Sequence, residues 1–315
     1  SNTVMSNRLD LARWLMHHDN PLTSRVIVNR VWSRFFGRGI VATAEDFGTQ
    51  GAWPDHPELL DWLACEFRDS GWDFKRLIRL IVTSATYRQT SHGSPDLNQR
   101  DPGNRLLARG PRIRLDAETL RDVALAAGGL LVVRQGGPSV KPYQPAGLWK
   151  EMTYDGQLGY DTGSGADLYR RSLYTYWKRQ APPPNMLLFD APTRETCAVG
   201  RPRTNTPLQA LALMNDPTFL EAARSLAERM YSQATPLRFG FRVVLSREPT
   251  SSEHDTLSQL FHSQLNAFRS DLDAARGLIS VGESEPAAGL NPFRLAALTT
   301  VANMILSLDE AITQP

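Results

Sequence analysis

The sequence predicts a mainly α-helical, multi-helix protein with an irregular, partly extended central segment. Two observations lead to this class. Apolar residues recur at helical spacing through the N-terminal and C-terminal parts of the chain. Between them, at 132–205, glycine, proline, tyrosine and tryptophan dominate and helical periodicity is weak. We therefore predict an N-terminal helical region at 1–131, an irregular segment at 132–205 and a C-terminal helical region at 206–315, joined in one integrated domain.

Polar capping residues and first-turn prolines mark the predicted helix starts. Asp73, Asp116 and Thr250 precede apolar-periodic runs, and Thr206 and Asp216 each precede a proline. We expect helices over about 7–18, 24–36, 57–70, 73–87, 116–128, from 206, and over about 216–232, 250–269 and 293–308. The tyrosine-, threonine- and tryptophan-rich run at 172–178 predicts a strand, and the polar run at 90–104 predicts a surface loop.

Composition and charge argue against some classes of protein. Hydrophobic residues make up 41% and charged residues 22% of 315, which is typical of a globular protein with a core. A formal net charge of +2 provides no strong field for gathering nucleic acid. No apolar run is long enough to cross a bilayer, and no nucleic-acid motif is present. We predict neither a nucleic-acid partner nor a membrane span.

The two cysteines predict no shared chemistry. Cys65 lies among apolar residues of a predicted helix and is expected in the core, whereas Cys197 lies in a polar loop and is expected at the surface. Two cysteines make neither a disulfide framework nor a zinc site. A C-x-x-C-H motif is missing, so we expect no cofactor in this chain.

A series of short strings, in order along nearly the whole chain, resembles the planctomycete PSD domain, a domain of unknown function. The strings are NRVW at 29–32, FGRG at 36–39, DFG at 46–48, HPELLDWLA at 56–64, GWDFK at 71–75, SATYR at 84–88, DAE at 116–118, RD at 121–122, GGPSV at 136–140, RRSLY at 170–174, FD at 189–190, TNTPLQAL at 204–211 and LMNDP at 213–217. Each string is weak alone, and their number and order make the resemblance specific.

The resemblance implies a C-terminal module of a cytochrome-type surface protein. Members of that family carry an upstream cytochrome-like module, so the resemblance implies an extracytoplasmic location in the periplasm or at the cell surface. Any haem would then belong to the upstream module. The implied partner is that module or another component of the envelope. The family supplies no catalytic residues.

The loop before the third predicted helix gathers Asp46, Asp55, His56 and Glu58. These residue types fit a metal or acid–base site, because histidine titrates near neutrality and carboxylates supply partners. Equally, Asp55 or His56 caps the helix opened by Pro57, with Glu58 favoured by the helix dipole. We favour capping and predict no metal site, since no histidine pair at helical spacing is evident. His56 remains a candidate ligand-binding residue.

The central segment combines cations with aromatic rings. Its basic and aromatic residues are Arg170, Arg171, Lys178, Arg179, Arg194, Arg201, Arg203, Tyr169, Tyr174, Tyr176 and Trp177. Such a set binds a polyanion, or a sulfated or uronic polysaccharide, by salt links and stacking. Alternatively, the arginines pair with nearby acids and fix an irregular backbone; these acids are Asp161, Asp167, Asp190 and Glu195. We select as candidate ligand-binding residues Arg171, Tyr174, Trp177, Asp190, Arg201 and Arg203.

The sequence identifies no reaction. The leading hypothesis is a non-catalytic binding or scaffold module with its ligand surface at 143–203. The alternative is an enzyme acting on a complex polysaccharide or another extracellular polymer, with redox input from the upstream haem module. Its cleft would be lined by His56, Asp190, Arg171 and Arg203. No G-x-S-x-G nucleophile elbow is present.

Overall fold

A computed structural model describes residues 7–151 and 159–314, and it is mainly α. The prediction of a mainly α fold is confirmed. The chain divides into two compact units, residues 1–113 with 314–315 and residues 114–313, which are described separately. The three regions predicted from the sequence stay a prediction. The predicted ligand surface at 143–203 includes residues 152–158, which lie outside the described residues.

The helices of the first unit begin where capping residues and prolines place them. They are α1 (Arg8–Leu15), α2 (Thr23–Phe36), α3 (Pro57–Asp69), α4 (Phe74–Thr83) and α5 (Pro95–Arg100). Asp73 caps α4, since its carboxylate accepts from the backbone N–H groups of Lys75 and Arg76 at 2.9 and 3.1 Å. Helix α5 lies inside the predicted surface loop, where Ser94 caps it.

The core of the first unit lies between α2, α3 and α4. Val28 and Trp32 of α2 pack with Phe67 of α3 and Ile81 of α4, and Trp32 stacks on Phe36 with ring centroids 4.0 Å apart. Buried Asn29 exchanges two hydrogen bonds with the backbone of Val41, at 2.9 and 3.0 Å. That amide fixes the turn after α2, because an unpaired buried amide would be costly.

One expectation for this unit is wrong. Cys65 is exposed, because the buried face of α3 is formed by Leu63, Ala64 and Phe67 and the cysteine lies on the opposite face.

The second unit contains the remaining helices of the described residues. The helices are α6 (Ala117–Gly128), α7 (Leu148–Glu151), α8 (Pro184–Leu188), α9 (Pro207–Asn215), α10 (Pro217–Tyr231), α11 (Pro236–Leu245), α12 (Ser251–Ser270), α13 (Leu272–Ile279), α14 (Pro292–Leu306) and α15 (Asp309–Ile312). Strands β1 (Ile113–Arg114) and β2 (Thr313–Gln314) pair in a two-stranded sheet. Among described residues, no helix is both long and apolar enough to cross a bilayer.

The core of the second unit is built around α10 and α14. Helix α10 packs on α6 and α14, and α14 also packs on α12 and α13. Leu226 of α10 and Val301 and Ile305 of α14 are completely buried. Thr206 and Thr250 form capping boxes with Gln209 and Glu253, as their spacing predicts.

The predicted strand at 172–178 is wrong. Ser172–Tyr174 is a 3₁₀ helix, which follows a second 3₁₀ helix at Gly165–Tyr169. Beyond it only single bridges occur in the described part, including one between Thr175 and Val140. The backbone groups of this segment are instead bound largely by side chains, as described below.

Candidate functional site

Helix α6 binds the backbone of the central segment through two adjacent residues. Arg121 is 3% exposed and donates to the carbonyl of Leu168, to that of Arg170 at 2.9 Å and to Ser172 Oγ at 3.1 Å. Asp122 accepts from the backbone N–H of Ser172 at 2.7 Å. Burial lowers the pKa of Arg121, and the Asp122 carboxylate opposes this shift. Helix α6 therefore fixes the turn at 168–172.

Arg170 is completely buried and binds a second stretch of backbone. Its guanidinium donates to the carbonyls of Pro138 at 2.9 Å, Arg134 at 3.1 Å and Gly136 at 2.5 Å. It also lies 3.9 Å from the ring centroid of Tyr174. The Tyr174 hydroxyl accepts from Gly136 N at 2.7 Å. Tyr174, a candidate ligand-binding residue, thus helps to fix the turn at 136–138. Its contact with a ligand stays a prediction.

Arg171 lies next in the chain and has the opposite environment. Its side chain is 47% exposed, with Nε 3.7 Å from Asp122 Oδ2. The RD, GGP and RRS strings of the sequence are therefore joined by side-chain contacts within the second unit.

Asp190 closes the loop at 190–204. Its backbone adopts a left-handed conformation, with φ of +63°, and its carboxylate accepts from Thr204 N at 2.7 Å and Thr204 Oγ1 at 2.9 Å. Buried Gln209 donates to Thr204 Oγ1 at 3.0 Å and to the carbonyl of Leu188 at 2.8 Å. The FD and TNTPLQAL strings form this closure. Residues 193–200 and 202–205 are exposed.

Arg201 binds back to α6. Its two terminal nitrogens lie 2.6 and 3.1 Å from the carboxylate oxygens of Glu118, and Asp116 is 3.9 Å away. Burial acts to raise the pKa of Glu118, but the hydrogen bonds from Arg201 outweigh it, so that pKa lies below its usual value. Arg203 is exposed in the same loop.

The arginine partners expected from the sequence are largely replaced by others. Arg171 and Arg201 pair with Asp122 and Glu118 of α6, whereas Asp190 accepts from Thr204. Asp167 pairs at 3.1 Å with Arg134. Short sequence separation was a poor guide, because Arg171 and Arg201 find their acidic partners on α6, outside the central segment.

Two groups of cations contact aromatic rings on the central segment. Arg194 lies 4.4 Å from the ring centroid of Trp177, whose Nε1 donates to the carbonyl of Thr193 at 3.1 Å. Lys178 lies 4.9 Å from the ring of Trp149. Trp149 in turn contacts the rings of Tyr160 and Tyr176, and Lys141 lies 5.7 and 5.8 Å from those two tyrosine rings. We call this set the cation–aromatic surface; its members are Lys141, Trp149, Tyr160, Tyr176, Trp177, Lys178 and Arg194.

His56 belongs to the first unit, at the N-cap position of α3. Its side chain makes no capping hydrogen bond; instead, Nε2 lies 2.7 Å from the carbonyl of Arg105. Asp55 pairs with Arg38 at 3.0 Å and Arg105 at 2.6 Å. His56 therefore occupies the N-cap position as expected, but its side chain does not cap the helix. Within the described part of the chain, no group of three or more His, Cys, Asp and Glu side chains could hold a metal ion.

One buried polar network was not anticipated. Glu221 of α10 accepts from the phenols of Tyr143 and Tyr169 at 3.0 and 2.8 Å, and from Ser284 N at 2.8 Å. Arg224 donates to the Ser284 carbonyl at 2.6 Å. Burial raises the pKa of both phenols, which keeps them hydrogen-bond donors. The i, i+3 spacing of Glu221 and Arg224 was the available signal, but such pairs usually lie in solvent.

Comparison with known proteins identifies a family and nothing narrower. The family model PSD1, described as a protein of unknown function (DUF1553), matches residues 7–261. The comparison with curated proteins gives no match, and neither does the comparison with solved structures. The match covers most of the chain and all of the strings set out above. The chain belongs to the PSD1 family of proteins of unknown function.

Proposed function

We propose that this chain is a non-catalytic binding module whose ligand is an anionic polymer of the cell envelope, such as a uronic or sulfated polysaccharide. The observation that carries the proposal is the cation–aromatic surface, in which each of three cations lies against a ring rather than a carboxylate. Within the described residues, Lys141, Lys178 and Arg194 form no salt bridge. These cations can attract an anionic ligand, and the half-buried Tyr160, Tyr176 and Trp177 offer it ring surface, whereas Trp149 is buried.

Rigidity of the supporting backbone favours binding. Arg121 and Arg170 are buried and together donate to five backbone carbonyls of the central segment. A surface fixed before binding loses less conformational entropy when a ligand arrives. The exposed residues at 193–200 lie in a loop closed by Asp190 and Thr204.

Two carboxylates of α6, Glu118 and Asp122, are bound by groups of the central segment. A glycoside hydrolase needs one carboxyl group that stays protonated near neutral pH as a general acid. Glu118 is paired with Arg201, and its pKa lies below the usual value, which suits a fixed anion. Asp122 binds Ser172 N. These acids support the backbone of the segment.

Cellular context follows from the family resemblance alone. We place the protein outside the cytoplasm of a planctomycete, linked to a cytochrome-like module that carries any haem. The partner would be that module or a component of the envelope. Arg171, Tyr174, Trp177, Asp190, Arg201 and Arg203 of the second unit remain candidate ligand contacts under this proposal, and His56 of the first unit remains a separate candidate.

Calorimetric titration tests the proposal. The chain is titrated with polygalacturonate, chondroitin sulfate and neutral dextran. We expect binding to at least one of the two acidic polymers, weakened by added salt, and none to dextran. The double variant Lys178→Gln/Arg194→Gln should bind about tenfold more weakly, equivalent to about 1.4 kcal/mol.

The matched control is Arg242→Gln, which removes one positive charge in the same unit from a 62% exposed side chain. It should bind as the parent chain does. Thermal unfolding of all variants checks that they are folded. The proposal is overturned if no acidic polymer binds, or if the double variant and the control bind alike.

A further inference from the structure

A groove of about 460 Å³ lies on the second unit, between the first turn of α11 and helices α12 and α14. Its walls are largely apolar and include Leu237, Phe261, Leu265 and Leu298. Both the volume and the lining fall within the range of small-molecule sites, about 300–1,000 Å³ with a few placed polar groups. Its lining residues, at 234–298, include no member of the cation–aromatic surface, so a ligand in this groove does not depend on the proposed function.

The polar groups of the groove are mainly cationic or neutral. Arg238, His254, Ser258 and Arg294 line it, and no aspartate or glutamate does. Within the described part of the chain, neither Arg238 nor Arg294 forms a salt bridge. Asp255 Oδ1 lies 3.9 Å from His254 Nδ1. Among the described residues, the two guanidinium groups of the groove thus have no carboxylate at ion-pair distance.

Arg294 is held in place before any ligand binds. Its guanidinium lies 4.3 Å from the ring centroid of Tyr231, and its backbone N–H donates to Asn291 Oδ1 at 3.1 Å. This contact with the ring restricts the positions of the guanidinium group. A planar guanidinium presents two parallel donors that match the two oxygens of a carboxylate.

Helical spacing puts polar and apolar side chains on the same face of two helices. On α12 the lining residues His254, Ser258, Phe261 and Leu265 follow i, i+4, i+7 and i+11 spacing, and on α14 Arg294 and Leu298 are four residues apart. Three of the lining residues, Leu265, Arg294 and Leu298, lie beyond the range of the family match, which ends at residue 261.

We propose that this groove binds a small organic acid with an apolar body, specifically a medium-chain fatty acid. The hydrocarbon chain packs against Phe261, Leu265 and Leu298, and the carboxylate pairs with the guanidinium groups of Arg238 and Arg294. Apolar contact supplies most of the affinity, because each buried methylene contributes about 0.8 kcal/mol. The guanidinium groups select the acid over a neutral molecule of the same length.

The experiment compares octanoate with 1-octanol, which has the same chain length and no charge, by calorimetric titration of the full chain. We expect one octanoate site, with octanol binding at least about tenfold more weakly. Arg238→Gln, at an exposed position, should lower octanoate affinity, and Arg238→Gln/Arg294→Gln should lower it to the level of octanol. Ser258→Phe, which fills the groove, should abolish binding of both.

The matched control is Arg242→Gln, one helical turn along α11 and outside the lining. It should bind octanoate as the parent chain does, and thermal unfolding checks that each variant is folded. The proposal is overturned if octanoate does not bind, if octanol binds equally well, or if Arg238→Gln and Arg242→Gln give the same affinity.

Discussion

In the second unit, helices α10 and α14 are held together by apolar side chains, whereas the irregular backbone at 134–138 and 168–172 is held by side chains that bind its carbonyl and N–H groups. The first arrangement depends on shape and buried area, as at Leu226 and Val301. The second depends on Arg121 and Arg170, each buried and each donating to several acceptors. A segment without regular secondary structure can thus be ordered, provided that its backbone polar groups find side-chain partners.

The largest effect should come from a cavity in the helical core. Leu226→Ala removes a fully buried side chain of α10 and should lower the free energy of unfolding by about 4 kcal/mol. Urea denaturation followed by circular dichroism measures it. A loss below about 1 kcal/mol would mean that α10 and α14 are packed more loosely than the structure has them.

Arg170→Met should cost about 3 kcal/mol, because it leaves the carbonyls of Arg134, Gly136 and Pro138 without their donor. The neighbouring change Arg171→Met is the control and should cost under about 1 kcal/mol, since that side chain is half exposed. Hydrogen exchange should locate the Arg170 effect at 132–140. Equal losses for the two variants would contradict the distinction between them.

Gly282→Ala should lower the free energy of unfolding by about 2 kcal/mol. The cause would be a steric clash of the added methyl group, since no hydrogen bond is removed. Gly282 has φ of +95°, and an added Cβ would lie 2.2 Å from the Glu221 carboxyl carbon. Denaturation measures the loss. Gly289→Ala is the control, because it has φ of +81° but open space around the added Cβ. If the two variants lose the same stability, backbone strain alone explains the effect.

The smallest expected effect is a pH-dependent loss of stability at Glu253, in the first turn of α12. Arg247 first, and then Thr250 N, lower the pKa of Glu253 to about 2. This pKa lies below that of the unfolded chain, so the stabilisation is complete above about pH 4.5 and is lost as the pH falls through about 2. Glu253→Gln should therefore lower the free energy of unfolding by about 1 kcal/mol at pH 7, a value limited by solvent screening, and by progressively less as the pH falls towards 2.

Unfolding at a series of pH values checks this prediction. Glu248→Gln is the control, because Glu248 forms one exposed pair with Arg242 at 3.3 Å. A loss for Glu253→Gln that stays constant from pH 7 to pH 2 would show that its carboxylate charge does not contribute.

Local signals in the sequence were enough to find most of the long helices. Asp73, Thr206 and Thr250 cap their own helices through bonds to residues two or three positions on, so nothing distant is needed. Helix α11 opens with the same Thr-Pro pair as α9 and was not predicted, so the signal was present and unused. The tyrosine-rich run at 172–178 favoured a strand, but α6 and the 136–138 turn provide its partners, and these are far away in the sequence.

The candidate site depends on contacts between residues far apart in the sequence, which local patterns cannot predict. Arg170 and Arg171 are the same residue type in adjacent positions, yet one is completely buried and the other half exposed. Which of them turns inward depends on where three carbonyls of another segment lie. The Glu221 network depends likewise on Tyr143, Tyr169 and Ser284, which are brought together only by the folded chain.

The carbonyl contacts of Arg170 also bear on which basic residue the chain can use there. An ammonium group concentrates its charge on one nitrogen, whereas the guanidinium spreads its donors across a flat fork. Pro138, Arg134 and Gly136 are reached by two nitrogens of that fork, while its face rests on Tyr174. Lysine is confined to Lys75, Lys141, Lys150 and Lys178 in this sequence. At position 170 the preference for arginine follows from geometry, whatever nucleotide composition favours it elsewhere.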